Sequence, residues 1–346
     1  MREIIAAIPL PAVLIGPDMR VIAANGAAGA VLGAAGIGGH VARVMRQPAV
    51  LDAIEACRSG GAPTEAQYLA DDAGQDALYD VTCAPVGQGV LMCLRDVGPM
   101  MQTDRMRRDF VANVSHELRT PLTALAGFIE TLGGPAKGDA EAMARFLPMM
   151  QDEAARMERL VHDLLSLSRV EAEQRRRPKD HVDLVAICGA ATGALRGAAE
   201  AAQIRLTADL PGAPVMVPGD ADQLRQVCIN LIENALKYAG QGARIDVSLR
   251  IEARNGALRG PAAILSVRDT GPGIDPIHIP RLTERFYRID AHRARGMGGT
   301  GLGLAIVKHI AQRHRGRLVI ASQPGEGSDF SVVLPLEPIP AQGPSA

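Results

Sequence analysis

The chain contains no tryptophan, and aromatic residues make up 3% of its 346 positions. Its cores must therefore be aliphatic, filled by Ala, Val, Leu and Ile rather than by large rings. Cysteine is sparse and odd in number: Cys57, Cys83, Cys93, Cys188 and Cys228 are scattered, with no CxxC pair. This argues against a disulfide framework or a cysteine-based zinc site, and a reducing cytoplasm is the expected compartment. As small apolar side chains, all five suit buried positions. Excess charge of either sign is missing too, since 37 Lys and Arg face 38 Asp and Glu. No global field draws in nucleic acid or an acidic partner. Long apolar runs are also lacking. Residues 21–39 are uncharged but hold six glycines and an asparagine. Residues 4–16 are interrupted by Pro9 and Pro11, and Glu3 offsets Arg2. Neither reads as a membrane span or a signal peptide, so membrane contact is expected only through a partner.

What is present suggests several domains with ample core material. Residues 1–97 read as a small α+β module. A short apolar strand at 12–15, a Gly-Pro-Asp turn at 16–18 and a resumed strand at 21–23 open it. A short Ala/Gly helix and a helical stretch over 41–58 follow, then strands near 65–69, 77–84 and 89–94. This order, and the segment VLIGPDMRVIAANGAA, resemble the opening and plan of a PAS domain. The expected role is to sense or relay a signal, with a structural or dimerising module as the alternative. His40 is the single histidine before position 116, and no cofactor site is expected in this module.

Residues 98–174 carry two helical patterns. The segment 109–123, DFVANVSHELRTPLT, begins a seam of Val111, Val114, Leu118, Leu122, Leu125, Ile129 and Leu132. His116 lies two positions from Val114 and from Leu118, so it points away from that seam into water, with the carboxylate of Glu117 beside it. Gly133-Gly134-Pro135 ends the first helix. A second seam runs through Leu147, Met150, Ala154, Met157, Val161, Leu164 and Ser168, with Pro148 expected to kink or delay its start. The two form an antiparallel hairpin too small to bury its own seams. A second copy would complete a four-helix bundle, so a homodimer follows from burial. The basic run Arg175-Arg176-Arg177-Pro178 reads as a solvated linker.

Residues 180–337 alternate helices, near 184–203, 221–239 and 302–314, with strands such as Ile245, Val247, Leu249 and Ile251. This is an α/β domain with helices covering one face of a sheet, and 338–346 is a polar tail expected to be disordered. Four clusters here carry chemistry. Asn230, Asn234 and Lys237 form one polar stripe of a helix, with Tyr238 next to it. Amide oxygens can complete a hydrated Mg²⁺ shell and a lysine can meet phosphate, although plain helix surface looks similar. Asp269, with Gly271 and Gly273, ends a strand in a manner suited to a purine amino group or to an ordinary tight turn. The segment Arg285-Phe286-Tyr287-Arg288 follows. Gly296-Met297-Gly298-Gly299-Thr300-Gly301-Leu302-Gly303 then opens a helix as an anion cradle, lacking the GK[ST] ending of a P-loop.

In this order, downstream of SHELRTPLT, the clusters resemble the sensor histidine kinases of two-component systems, over about residues 100–336. The likeness implies a C-terminal α/β sandwich of the type shared by gyrase, a heat-shock chaperone and mismatch-repair ATPases. Within the family, FVANVSHELRTPLT and FYRIDAHRARGMGGTGLGLAIVKHI are most similar to phosphate-regulon sensor kinases. The resemblance implies ATP-dependent autophosphorylation of His116 and phosphotransfer to an aspartate of a response regulator receiver domain. Glu117 would tune the imidazole, Thr120 would orient water for dephosphorylating the regulator, and Pro121 would allow a bend. Asn234, assisted by Asn230, would hold Mg²⁺. Lys237, Arg288 and the cradle Gly299, Thr300, Gly301, Leu302 and Gly303 would meet the phosphates, Asp269 the adenine, and 276–299 would form a mobile lid. Another ATPase of the same fold, or a non-catalytic scaffold, is the alternative.

Overall fold

The structure, a computed structural model, describes residues 2–33, 37–72, 75–173, 176–256, 258–289 and 299–336. The expected tail at 338–346, and residues 290–298 of the expected lid with Gly296, Met297 and Gly298, lie outside them. The chain divides into two compact units, Met1–Ala112 and Asn113–Ala346.

In the first unit, α1 (Arg2–Ala6), β1 (Ala12–Ile15), β2 (Val21–Ala24) and α2 (Gly26–Leu32) precede α3 (Pro48–Gly60). Three longer strands follow: β3 (Thr64–Asp72), β4 (Gln75–Val86) and β5 (Gly89–Asp96). They form one sheet of order β2-β1-β5-β4-β3, and every pairing is antiparallel. The helical stretch expected over 41–58 is divided. A 3₁₀ turn at Val41–Arg43 stops before Pro48, which starts α3 at N1 because it lacks the amide a helix interior would need. The aliphatic core includes Ile15, Val41, Met45, Ile54, Cys57, Cys83, Met92 and Leu94. Asn25 anchors the module's entry. Its Oδ1 accepts from the amides of Ala12 (3.1 Å) and Ala28 (2.9 Å), and its Nδ2 donates to the carbonyls of Ile8 (3.0 Å) and Leu10 (2.7 Å).

The long helix α4 (Gly98–Gly133) runs through Pro121 without a break, and α5 (Ala140–Ala172) runs through Pro148. Pro148 therefore does not delay α5. The helix begins at its cap, where the Asp139 carboxylate accepts from the amides of Glu141 and Ala142. Beyond it come β6 (His181–Asp183), α6 (Leu184–Ala201), β7 (Arg205–Asp209), β8 (Met216–Pro218) and α7 (Ala221–Tyr238). The domain closes with β9 (Arg244–Asn255), β10 (Gly260–Asp269), α8 (Gly303–Arg313), β11 (Arg317–Gln323) and β12 (Gly327–Pro335). The main sheet has order β11-β12-β10-β9-β7, antiparallel except for the parallel pair β7–β9. Helix α7 packs on α6 and α8, turning Leu224, Val227 and Leu231 into the core. That leaves the stripe of Asn230, Asn234 and Lys237 at the edge of the layer.

Helix α5 has a second apolar face that the heptad reading missed. Leu160, Leu167 and Val170 are buried, while Val161 of the expected seam is 45% exposed. The buried stripe faces the C-terminal domain, as α5 packs against α8. Ser166 donates to Gln226 at 2.8 Å, and Glu171 pairs with Arg285 at 2.5 Å. The residue spacing of seven and three was present in the sequence, but a helix flanked by two partners shows two overlapping stripes, and the reading followed one.

Candidate active site

A cleft of about 1410 Å³ opens between α5, α7 and the loops after β10 and before α8. Asn230, Asn234, Lys237, Tyr238, Asp269, Gly273, Arg288, Gly299, Thr300, Gly301 and Gly303 all line it. Residues as far apart as Asn230 and Gly303, 73 positions along the sequence, thus share one wall system. Gly271 and Leu302 stand behind this lining. Leu302 is fully buried at the start of α8, and the Gly271 amide donates to Asp269 Oδ1 at 2.8 Å.

Backbone crowding explains several glycines. Gly273 has φ +69°, and a Cβ there would run into the carbonyl of Gln323. At Gly301, with φ +71°, a Cβ would lie 2.9 Å from Phe286 Cα. Phe286 itself sits at φ +63°, a strained setting for a bulky residue, and its amide donates to the Gly301 carbonyl at 2.9 Å. The Phe286 segment, weak as a sequence signal, is therefore hooked onto the glycine-rich box. A Cβ at Gly299 would collide with Lys237 Nζ, which places that ammonium against the box.

Electrostatics mark one end of the cleft as built for an anion. Burial, and then Arg288, Arg156 and Arg159, push the Lys237 ammonium down to about 8, with Glu233 opposing. At the other end Asp269 is 5% exposed. Burial raises its pKa, countered by the amides of Gly271 and Ser328. A buried carboxylate retaining acceptor capacity suits a ligand N–H group. Ser328 and Phe330 also line the cleft, and Gly327 approaches so closely that a Cβ would strike the Asp269 carbonyl. The sequence reading passed over this trio because strand β12 looks like ordinary alternation. The glycine before it was the available signal.

The hairpin residues lie apart from this lining. His116 and Thr120 are exposed on α4, and the Thr120 hydroxyl donates to the His116 carbonyl at 3.2 Å. Glu117 crosses the hairpin to Arg156 of α5 at 3.2 Å. The side chains of α5 reach the cleft, where the Thr300 hydroxyl donates to Asp163 Oδ2 at 2.6 Å.

As for metal, no cluster of three or more His, Cys, Asp or Glu side chains among the described residues is arranged to hold an ion. Asn230 and Asn234 line the cleft, with Asn230 Nδ2 donating to the Gly303 carbonyl at 3.4 Å, and amide oxygens are a donor type that suits a hard cation held jointly with substrate phosphates.

Residues 106–173 match the His Kinase A (phospho-acceptor) domain. Residues 219–338 match the histidine kinase-, DNA gyrase B- and HSP90-like ATPase family. The chain is 44% identical over 241 residues to the phosphate regulon sensor protein PhoR of Pseudomonas aeruginosa. The chain belongs to the two-component sensor histidine kinases. The PhoR alignment covers 70% of this chain and 53% of PhoR, so this histidine kinase chain spans about half the length of that relative. The histidine kinase AdeS of Acinetobacter baumannii aligns at 29% identity with a TM-score of 0.50, covering 63% of this chain and 96% of AdeS. The histidine kinase ThkA, in its complex with the response regulator protein TrrA, shares the fold at 17% identity and a TM-score of 0.51. That match covers 97% of this chain and 98% of ThkA. No helix among the described residues is long and apolar enough to cross a membrane.

Proposed function

We propose that this kinase uses ATP to phosphorylate its own His116 and passes the phosphoryl group to an aspartate of a response regulator. The observation that carries the reading is the cleft itself. It joins a buried acceptor for a base at Asp269 to a glycine-walled, cation-rich end at Lys237, in the same unit as an exposed histidine on a phosphoacceptor helix. Phosphoryl transfer needs positioning and charge neutralisation more than covalent assistance, and the cleft is furnished for both. Lys237, Arg288 and the amides of 299–303 would hold the phosphates, with Asp269 holding adenine. Asn234 and Asn230 would hold Mg²⁺, which when bound supplies charge neutralisation between phosphate oxygens. A ring nitrogen of His116 attacks the γ-phosphorus as the bond from that phosphorus to the β–γ bridging oxygen breaks and ADP leaves, while Glu117 accepts the proton of the other nitrogen. Arg156 fixes the carboxylate of Glu117 across the hairpin.

The finer assignments belong to the same proposal. Residues 1–97 act as a PAS-like signalling module; their strand order and the helix-covered sheet support it. Residues 98–174 form the dimerising hairpin. Val111, Leu122 and Ile129 of α4, each 58% exposed, give a second copy an apolar seam to cover. Residues 276–299 act as the lid, and Thr120 serves dephosphorylation of the regulator. The kinase works in the cytoplasm, within phosphate-responsive signalling as its likeness to PhoR suggests.

Incubation with γ-labelled ATP and Mg²⁺ tests this. An acid-labile, alkali-stable label that disappears in His116→Gln supports a phosphohistidine, and its absence from the parent chain overturns the reading.

A further inference from the structure

The polyphosphate end of the cleft has a second wall. Asp163 of α5 accepts from Thr300, and Thr300 is flanked by Gly299 and Gly301 of the cradle. Arg159 stands four residues earlier on α5, hence on the same helix face and one turn away. It is exposed and, together with the half-buried Asp163, lines the cleft. Arg156, a turn further back, is engaged by Glu117 at 3.2 Å and Glu153 at 3.9 Å and does not line it. Among the described residues Arg159 forms no ion pair of this kind. Its charge is nonetheless felt throughout this end: it helps depress Lys237 and opposes the upward shifts of Asp163 and Glu233. The cradle, Lys237 and the Asp163 turn are thus contiguous, and Arg159, one of two α5 arginines that line the cleft, is the one whose charge acts on Lys237 and Asp163.

We propose that Arg159 is a phosphate-binding residue of the nucleotide site, contributed by the hairpin, so that the terminal phosphate is held from both walls of the cleft. The planar guanidinium forks onto phosphate oxygens more effectively than a point charge does. With the adenine at Asp269 and the chain of phosphates passing Lys237, Arg159 meets the end of the triphosphate that Asp269 cannot reach. Nucleotide binding then involves the same helix α5 whose Arg156 holds Glu117, and the donor phosphate and the acceptor helix share one support. The inference rests on the assignment of the cleft to ATP.

The test compares equilibrium binding of ATP and ADP to the full chain, to Arg159→Gln and to Arg159→Lys. Removing a charge-assisted contact to the terminal phosphate should weaken ATP by about tenfold and ADP by no more than about twofold in Arg159→Gln. Arg159→Lys should recover much of the loss. ATP affinity unchanged in Arg159→Gln overturns the inference, as does an equal loss for ATP and ADP, the mark of a merely structural effect. If the parent chain binds neither nucleotide, the assignment of the cleft itself fails.

Discussion

The N-terminal sheet, β2-β1-β5-β4-β3, and the C-terminal sheet, β11-β12-β10-β9-β7, have five strands each and use their buried polar groups differently. In the first, Asn25 is 7% exposed and surrounded by backbone partners on both its oxygen and its nitrogen. Its hydrogen-bonding capacity is consumed by holding α1, β1 and α2 together, which is a purely architectural use. In the second, Asp269 is equally buried but faces a cleft, and Lys237 opposite is destabilised as a cation by burial and by three arginines. Buried charged groups whose desolvation is only partly offset by their neighbours are held ready for something that arrives. A saturated polar group marks architecture, and an incompletely compensated one marks a binding site.

Glycine substitutions should separate the two regions most sharply. Gly273→Ala meets both a left-handed backbone and the Gln323 carbonyl, so it should cost about 3 kcal/mol or more and abolish ATP binding. Chemical denaturation and nucleotide titration would check both. Asn25→Ala comes next. It strands several buried backbone groups and should destabilise the N-terminal module by about 2–3 kcal/mol, while ATP affinity stays at the parent value. Gly61→Ala, at the left-handed C-cap of α3 with open space around it, should cost only about 1 kcal/mol. A loss like that of Gly273→Ala would erase the contrast.

The smallest effect concerns pH. Lys237 has a folded value of about 8, below its usual 10.5, and phosphate binding must raise it. ATP affinity should therefore be level below about pH 8 and decline as pH rises from there towards the higher value in the complex. Titrations across that range would show the decline in the parent chain and its absence in Lys237→Arg, whose charge persists. The sign for folding is also fixed. A depressed lysine costs stability while it is charged in the unfolded chain, so this cost fades between about pH 8 and 10.5.

Much of the C-terminal domain was legible because its signals are local: an aspartate ending β10, glycines where the chain crowds itself, and amides spaced four apart on α7. The succession of strands and helices along the first module could also be followed from turns and alternation, whereas the sheet order could not. What escaped the sequence depends on packing partners. The Leu160, Leu167 and Val170 stripe of α5 is visible only once a second surface lies against the helix. Arg156 meets Glu117 across 39 positions, and no spacing rule links them. Asn25 counted only as a polar residue within the uncharged stretch 21–39, yet its five backbone contacts are made by folding. The stretch over 41–58 is divided because Pro48 stands at N1 of α3, where its fixed φ and missing amide favour a helix start, unlike Pro121 and Pro148, which lie inside α4 and α5.

The central claim is that the cleft donates the phosphoryl group that His116 receives. Peptide mass spectrometry after incubation with ATP and Mg²⁺, under alkaline handling that preserves phosphohistidine, tests it most directly. The account predicts phosphate on His116 in the parent chain and none in Asn234→Ala, whose histidine is intact but whose cleft lacks the amide proposed to hold Mg²⁺. Phosphate on another residue, or His116 phosphorylated equally in Asn234→Ala, would contradict it.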